Sequence, residues 1–138
     1  MPRLKHCRRI CEPPKMLGYK PFGIPKKTLQ SITLGLDEFE VIRLLDYEGL
    51  NQEQAAERMK ISRPTLTRIY EHARKVVATA FVEGKMLIIQ GGEVEFDKDW
   101  YRCKRCYTLI AGCEEQLKCK NCNTLCPEEM ESILLKDE

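Results

Sequence analysis

The sequence has no apolar run that approaches the roughly 20 residues needed for a membrane-spanning helix. Its basic N-terminus is not followed by an apolar stretch, so it does not resemble a secretory signal. These two absences favour a cytoplasmic protein without membrane contact. Because thiols stay reduced in that compartment, the eight cysteines are expected to be metal ligands rather than disulfides.

Histidine is also scarce, since His6 and His72 are the only two in the chain. His6 falls in a basic segment, and His72 falls on the surface of a predicted helix. The sequence shows no pattern of a nucleophile and a general base that would include either histidine. An enzyme is therefore the least supported class, and no small-molecule substrate is evident.

Charge and proline are concentrated at the N-terminus. Residues 1–30 hold five of the seven prolines and eight Lys or Arg residues against one acid, Glu12, a formal charge of +7 that leaves −5 for the rest of the chain. This asymmetry predicts a basic arm that seeks polyanions, assigned to residues 1–33 and expected to be extended and mostly irregular. Arg3, Arg8 and Arg9 could lie along phosphates or enter a minor groove. Ile10 and the cysteines of the arm favour partial anchoring on the body over a free tail.

Residues 34–90 have the hydrophobic periodicity of three helices. The first opens at Leu36 and ends near Gly49. The second has Asn51 as its N-cap in a polar capping box, and the third has Ser62 as its cap and Gly84 as its C-terminal stop. The apolar run 86–90 predicts a short strand or a packing segment. The third helix is expected to bury one face, formed by Leu66, Ile69, Ala73, Val76, Val77, Ala80 and Phe81.

The second and third helices have the features of a helix-turn-helix. Ala55 and Ala56 are small enough for a close crossing, and Ile61 in the turn can fix the crossing angle. The third helix would then enter the major groove with its N-terminal residues leading. The predicted DNA contacts on or beside it are Ser62, Arg63, Pro64, Thr65, Thr67, Arg68 and Lys75. The alternative is a plain three-helix core whose cationic face is only solvated.

Residues 36–74 resemble region four of bacterial sigma factors. The matching text is "LDEFEVIRL", "GLNQE", "AAERM", "ISRPTL" and the later "AR". In that family the third helix reads promoter bases, which implies base contacts by Arg63, Pro64, Thr67 and Arg68. No other segment resembles the sigma regions that melt promoters or bind polymerase.

The wider chain is similar to a family of small, functionally uncharacterised prokaryotic proteins described as predicted DNA-binding proteins. The resemblance rests on "MPR", "CRRI", "KPFGIP", the text at 33–44 and "GK" at 84–85, and it spans residues 1–92. It implies a helix-turn-helix and a regulatory role.

Two CxxC pairs enclose twelve residues in the C-terminal part of the chain. Cys103, Cys106, Cys119 and Cys122 therefore predict a four-thiolate structural zinc site in a zinc-ribbon-like module at 91–127. Such a short segment has few apolar side chains, and zinc binding of order 10 kcal/mol could fold it. A redox pair and an iron–sulfur cluster are the alternatives. A second metal site could join His6, Cys7, Cys11, Cys113 and Cys126.

Together these features predict a mainly α fold: a three-helix helix-turn-helix core at 34–90, the N-terminal arm, the C-terminal module and an acidic tail at 128–138. The favoured function is a DNA-binding transcriptional regulator that forms a homodimer on double-stranded DNA, because specific readers usually pair half-sites. A thiol- or metal-responsive sensor and an adaptor that contacts RNA polymerase are the alternatives.

Overall fold

The computed structural model describes residues 8–96, 99–111 and 130–133. Its strands are β1 (Arg8–Ile10), β2 (Gly18–Tyr19), β3 (Ser31–Leu34), β4 (Met86–Ile89), β5 (Val94–Phe96), β6 (Trp100–Cys103), β7 (Leu109–Ala111) and β8 (Met130–Ser132). Its helices are α1 (Leu36–Ile42), continued by a π-helical turn (Arg43–Tyr47), α2 (Gln52–Met59) and α3 (Arg63–Glu83). The prediction of a mainly α fold is wrong, because in this part of the chain three helices accompany eight strands in three sheets, a mixed α/β fold.

The predicted caps of α2 and α3 are confirmed. The Asn51 side chain accepts a hydrogen bond from the Gln54 amide at 2.8 Å, and the Gln54 side chain accepts one from the Asn51 amide at 3.1 Å. The Ser62 hydroxyl accepts one from the Thr65 amide at 3.3 Å. At the far end of α3, Gly84 takes the left-handed conformation (φ 65°) that ends many helices.

Most of the described part of the predicted arm lies outside helices and strands, as expected, but it also contains β1, β2 and most of β3. β4, in the apolar run 86–90 for which a strand or packing segment was predicted, lies between β2 and β3 and pairs antiparallel with β2 and parallel with β3. β1 pairs in parallel with β5. The strands of the arm were not predicted because β1, β2 and β3 have only two to four residues each, too few to show a period of two in the sequence.

Two apolar clusters hold the helices and the central sheet together. The first joins α1, the π-turn, α2 and the N-terminal half of α3 through Val41, Leu44, Ala55, Ala56, Met59, Leu66 and Ile69. The second joins the strands to α1 and the middle of α3 through Ile10, Leu34, Leu36, Ala73, Val76 and Ile89. Only 1% of Ile10 is exposed, which confirms that the arm is anchored on the body.

Two residues predicted on the buried face of α3 are exposed. The exposed fractions are 37% for Val77 and 88% for Phe81. The buried face continues through Ala73, Val76 and Ala80 instead. At 100° per residue this face leaves Val77 and Phe81 on the flank of the helix.

A buried ion-pair network fastens the end of the first helix to α2. Glu40 is 1% exposed, and its carboxylate accepts hydrogen bonds from Arg43, one of them from Nε at 2.9 Å. Arg43 also donates to Glu48 at 2.8 Å, and Arg58 of α2 donates to the same carboxylate at 2.9 Å. The hydrogen bonds to Glu40 hold the pKa of Arg43 well above its usual value.

The C-terminal strands form a separate small sheet in the order β7-β6-β8, antiparallel throughout. Arg102 of β6 attaches this sheet to the N-terminal segment. Its guanidinium donates to the carbonyls of Pro14 at 2.9 Å and Lys15 at 3.3 Å. Within the described residues, none of the helices has both the length and the hydropathy that a bilayer crossing demands.

Candidate nucleic-acid interface

A short turn at 60–62 holds α2 and α3 close together. Lys60 takes a left-handed conformation (φ 55°), and the Ile61 amide donates to the Ala56 carbonyl at 3.0 Å. Ala55 is fully buried and Ala56 is 5% exposed, in the same cluster as Leu66 of α3, and Ile61 packs against that cluster. The predicted close packing through small residues, with Ile61 in the turn, is confirmed.

The N-terminal half of α3 presents a cationic edge to solvent. The Arg63 side chain is 61% exposed, and Pro64, Arg68 and Lys75 are exposed as well. Thr67 is half-buried beside them. At 1.5 Å per residue, the edge from Arg63 to Lys75 is about 18 Å long. The predicted contacts on α3 therefore lie on one accessible side, away from the apolar clusters.

Gln52 of α2 orients two of these side chains. Its Oε1 accepts hydrogen bonds from Thr67 Oγ1 at 3.0 Å and from Arg63 Nε at 3.4 Å. Arg63 Nη1 also lies 3.6 Å from Glu53. Gln52 was not among the residues predicted from the sequence, because its contacts depend on the angle between α2 and α3.

Three hydrophilic side chains form a second group at the start of α3. The Ser62 and Thr65 hydroxyls are 2.8 Å apart, and Thr65 Oγ1 accepts from Arg68 Nη2 at 3.3 Å. These contacts place the Arg68 guanidinium over the N-terminal turn of the helix. A second polar contact lies close by, since His72 Nδ1 is 2.9 Å from Glu38 Oε2.

The arm residues fall in different places. Arg8 lies in β1, where its Nη1 is 3.5 Å from Asp37 and 3.7 Å from Glu93, and its side chain is 22% exposed. It lines a shallow cleft of about 350 Å³ together with Arg68 and His72. Arg8 is therefore part of the body beside α3 and does not extend away from it. Arg9 is half-buried in the same strand. Arg3 lies outside the described residues.

Cys103 ends β6, and Cys106 lies in the tight turn that leads to β7. The Tyr107 amide donates to the Cys103 carbonyl at 2.9 Å, and the Cys103 amide donates to the Thr108 carbonyl at 3.0 Å. Tyr107 takes a left-handed conformation (φ 63°), and Cys106 Sγ is 3.0 Å from Thr108 Oγ1. Both thiols of the first CxxC pair are thus held at one end of the small sheet.

Of the other predicted metal ligands, Cys11 lies in the described part of the chain and is exposed. The remaining six lie outside the described residues: Cys119 and Cys122 of the four-thiolate site, and His6, Cys7, Cys113 and Cys126 of the second site. Within residues 8–96, 99–111 and 130–133, no three His, Cys, Asp or Glu side chains gather in a way that could hold a metal ion. The zinc site stays a prediction.

Comparison with known proteins identifies relatives along most of the chain. Residues 1–97 match the family described as "Protein of unknown function DUF134". A UPF0251 protein from Chloroherpeton thalassium is 42% identical over 128 residues, which cover 93% of this chain and 82% of that protein. One from Pelotomaculum thermopropionicum is 39% identical over 127 residues, covering 91% and 96%. No solved structure matches.

Proposed function

The chain belongs to the DUF134 (UPF0251) family, and we propose that it is a sequence-specific DNA-binding transcriptional regulator. In this proposal α2, the turn and α3 act as a helix-turn-helix on double-stranded DNA. The N-terminal half of α3 enters the major groove, and a zinc ion stabilises the C-terminal segment.

The observation that carries the proposal is the exposure of Arg63 and Arg68 above a tightly nested helix pair. Ala55 and Ala56 are buried where α2 packs on α3, while Arg63 and Arg68 remain exposed to solvent. An arginine fork at this position can bond the O6 and N7 atoms of guanine. The hydrogen bond from Arg63 to Gln52 reduces the entropy lost when such a contact forms.

Phosphate contacts would position the helix. Ser62 and Thr65 lie at the N-terminus of α3, where amide groups and the helix dipole favour anions. Arg8 and Arg9 lie in a strand of the body, and Lys75 lies further along the exposed side of α3. Contacts of this kind fix the register on the duplex without reading its sequence.

Salt dependence tests the proposal. Binding to a duplex of random sequence, followed by fluorescence anisotropy, should weaken linearly on a log–log plot against salt, because phosphate contacts release counterions. Removing two phosphate contacts makes the slope shallower by about 2. On a duplex of random sequence Arg63 and Arg68 have no fixed base partner and would bond phosphates instead, so the variant Arg63→Ala/Arg68→Ala should lose affinity and part of its slope.

Lys26→Ala/Lys27→Ala is the matched control. It removes the same charge from the exposed loop between β2 and β3, so it should change binding far less. A flat salt dependence of the unmodified protein would instead favour an adaptor that contacts protein, for example RNA polymerase. Equal losses in the two double variants would show that charge alone, and not the start of α3, governs binding.

For the C-terminal segment we propose a structural zinc ion held by Cys103, Cys106, Cys119 and Cys122. The turn around Cys103 and Cys106 supports it, because its amide bonds and the left-handed Tyr107 bring both thiols of one pair to the same end of the sheet. Metal analysis of the purified chain should find one zinc per chain. Cys103→Ser should lose that zinc, whereas Cys11→Ser, at an exposed position in the arm, should keep it.

The hydrogen bonds of Arg102 favour a sensor as the second candidate function. Arg102 donates to the Tyr107 carbonyl at 3.1 Å and also to the carbonyls of Pro14 and Lys15. It therefore joins the cysteine turn directly to the N-terminal segment of the DNA-binding body. A sensor would lose duplex affinity on mild oxidation and regain it with reductant, whereas a regulator with a purely structural zinc site would not respond reversibly.

We also propose a homodimer. Val77 and Phe81 lie one helical turn apart on an exposed flank of α3, and Val82 beside them is 79% exposed. A second copy could cover this apolar stripe and supply a second recognition helix for a paired half-site.

A further inference from the structure

A cleft of about 400 Å³ lies between the central sheet and the cysteine turn. One wall comes from the segment that leads into β2, the second from β4, and the third from Arg102 and Tyr107 of the C-terminal sheet. Its size falls within the range of about 300–1,000 Å³ that is usual for small-molecule sites. None of the residues proposed to contact DNA or zinc lines it.

The cleft is positively charged. Among the described residues, Lys15, Lys20 and Arg102 line it, and no acidic one does. Arg102 is 7% exposed. Its guanidinium donates to three backbone carbonyls, and Glu131, its partner across the sheet, attracts it electrostatically. Burial of a charge is costly, and a further anion on the cleft side of Arg102 would lower that cost.

The other walls are apolar. Met16, Leu17, Leu87 and Ile88 line the cleft, together with the ring of Tyr19. Leu17 is 49% exposed and Tyr19 is 64% exposed, so large apolar surfaces face solvent here. An apolar surface next to a buried cation matches a ligand that has an acidic head and a hydrocarbon body.

We propose that this cleft binds a small amphipathic anion, a carboxylate or sulfonate on an apolar body of about eight to ten carbons. The acidic group lies near Arg102 and Lys15, and the apolar body lies against Leu17 and Leu87. The cleft shares no residue with the proposed DNA contacts, so a failure of one proposal does not affect the other.

The probe is 8-anilinonaphthalene-1-sulfonate, whose fluorescence rises in apolar sites, titrated into the full chain. One saturable site is expected. Octanoate should displace the dye, and octan-1-ol, which has the same chain length without the charge, should displace it at least tenfold less well.

Two exposed positions give matched variants. Leu17→Glu adds a negative charge to the wall of the cleft and should weaken dye and octanoate binding at least tenfold. Tyr47→Glu adds the same charge at an exposed position at the end of the π-helical turn, outside the cleft lining, and should leave binding unchanged. Far-UV circular dichroism verifies that both variants fold. Absence of a saturable site, equal competition by octan-1-ol, or equal effects of the two variants would overturn the proposal.

Discussion

Replacing Arg43 with methionine should strongly destabilise the fold, because it leaves a buried carboxylate without its cation. The Glu40 side chain is only 2% exposed, and Arg43 is the residue that hydrogen-bonds both of its oxygens. Methionine keeps much of the apolar stem of arginine but removes every donor. The loss of stability in this variant is therefore caused by the missing ion pair and not by a cavity.

The size of the effect follows from burial. Removing one member of a buried ion pair costs about 3–5 kcal/mol. The Arg43 side chain is 24% exposed, so water can reach one end of it and the lower value, about 3 kcal/mol, applies. At a urea dependence of about 1.5 kcal/mol per molar, the unfolding midpoint falls by about 2 M.

Arg58→Met is the matched control. Arg58 belongs to the same network, but its side chain is 53% exposed and, among the described residues, bonds only to Glu48. Exposed pairs contribute about 0–1 kcal/mol. Urea unfolding followed by circular dichroism at neutral pH should therefore separate the two variants by about 2 kcal/mol. Adding Glu40→Gln to Arg43→Met removes the stranded charge and should recover part of the loss.

Two results would refute this reasoning. The first is an Arg43→Met variant as stable as Arg58→Met, which would mean that Glu40 is not held by Arg43. The second is a double variant less stable than Arg43→Met alone, which would mean that the buried carboxylate needs no cation.

Three further predictions concern other contacts. Hydrogen bonding to Asp46 raises the pKa of Tyr70. The neutral phenol therefore contributes stability that is present below about pH 10 and is lost as the pH rises through the folded-state pKa. Urea titrations from about pH 9 to 11 should show a steeper loss of stability for the unmodified chain than for Tyr70→Phe, and equal slopes would refute the effect. Tyr107→Gly should raise the stability of the C-terminal sheet by about 1 kcal/mol, because glycine adopts a left-handed conformation without strain; a lower melting temperature would contradict this. Phe81→Glu should convert a dimer into a monomer in light scattering, and a chain that is monomeric before the change would rule out the proposed dimer.

The helices were predictable because their signals are local. Asn51, Ser62 and Gly84 cap or stop helices through bonds within a few residues, and the structure confirms all three roles. The small residues at the helix crossing were predictable for the same reason, since their spacing alone implies close approach.

The strands depended on distant partners and were largely missed. β3 pairs with β4 across the whole three-helix segment, and β1 pairs with β5. Strands this short acquire their structure from backbone pairing, which no local pattern records. The Arg102 contacts with Pro14 and Lys15 join residues 88 and 87 positions apart, and a lone arginine in a strand gives no sign of such partners.

Within the candidate interface, the identity of the exposed residues was predictable, but their orientation was not. Arg63 and Arg68 follow from helical periodicity. The role of Gln52 follows from the angle between α2 and α3, which the sequence does not specify. Arg8 was predicted in a DNA-contacting arm, yet in the structure it lies in a strand of the body beside Asp37.

The central claim, that α3 reads base edges, is tested most directly by selecting bound duplexes from a random pool with the unmodified chain, Arg68→Ala and Lys75→Ala. The unmodified chain should enrich a defined site. Arg68→Ala should relax the preference at one base position with a loss of about 1–3 kcal/mol there, whereas Lys75→Ala should weaken binding to all sequences alike. Recovery of no common site, or of the same site with unchanged preference from Arg68→Ala, would contradict the account.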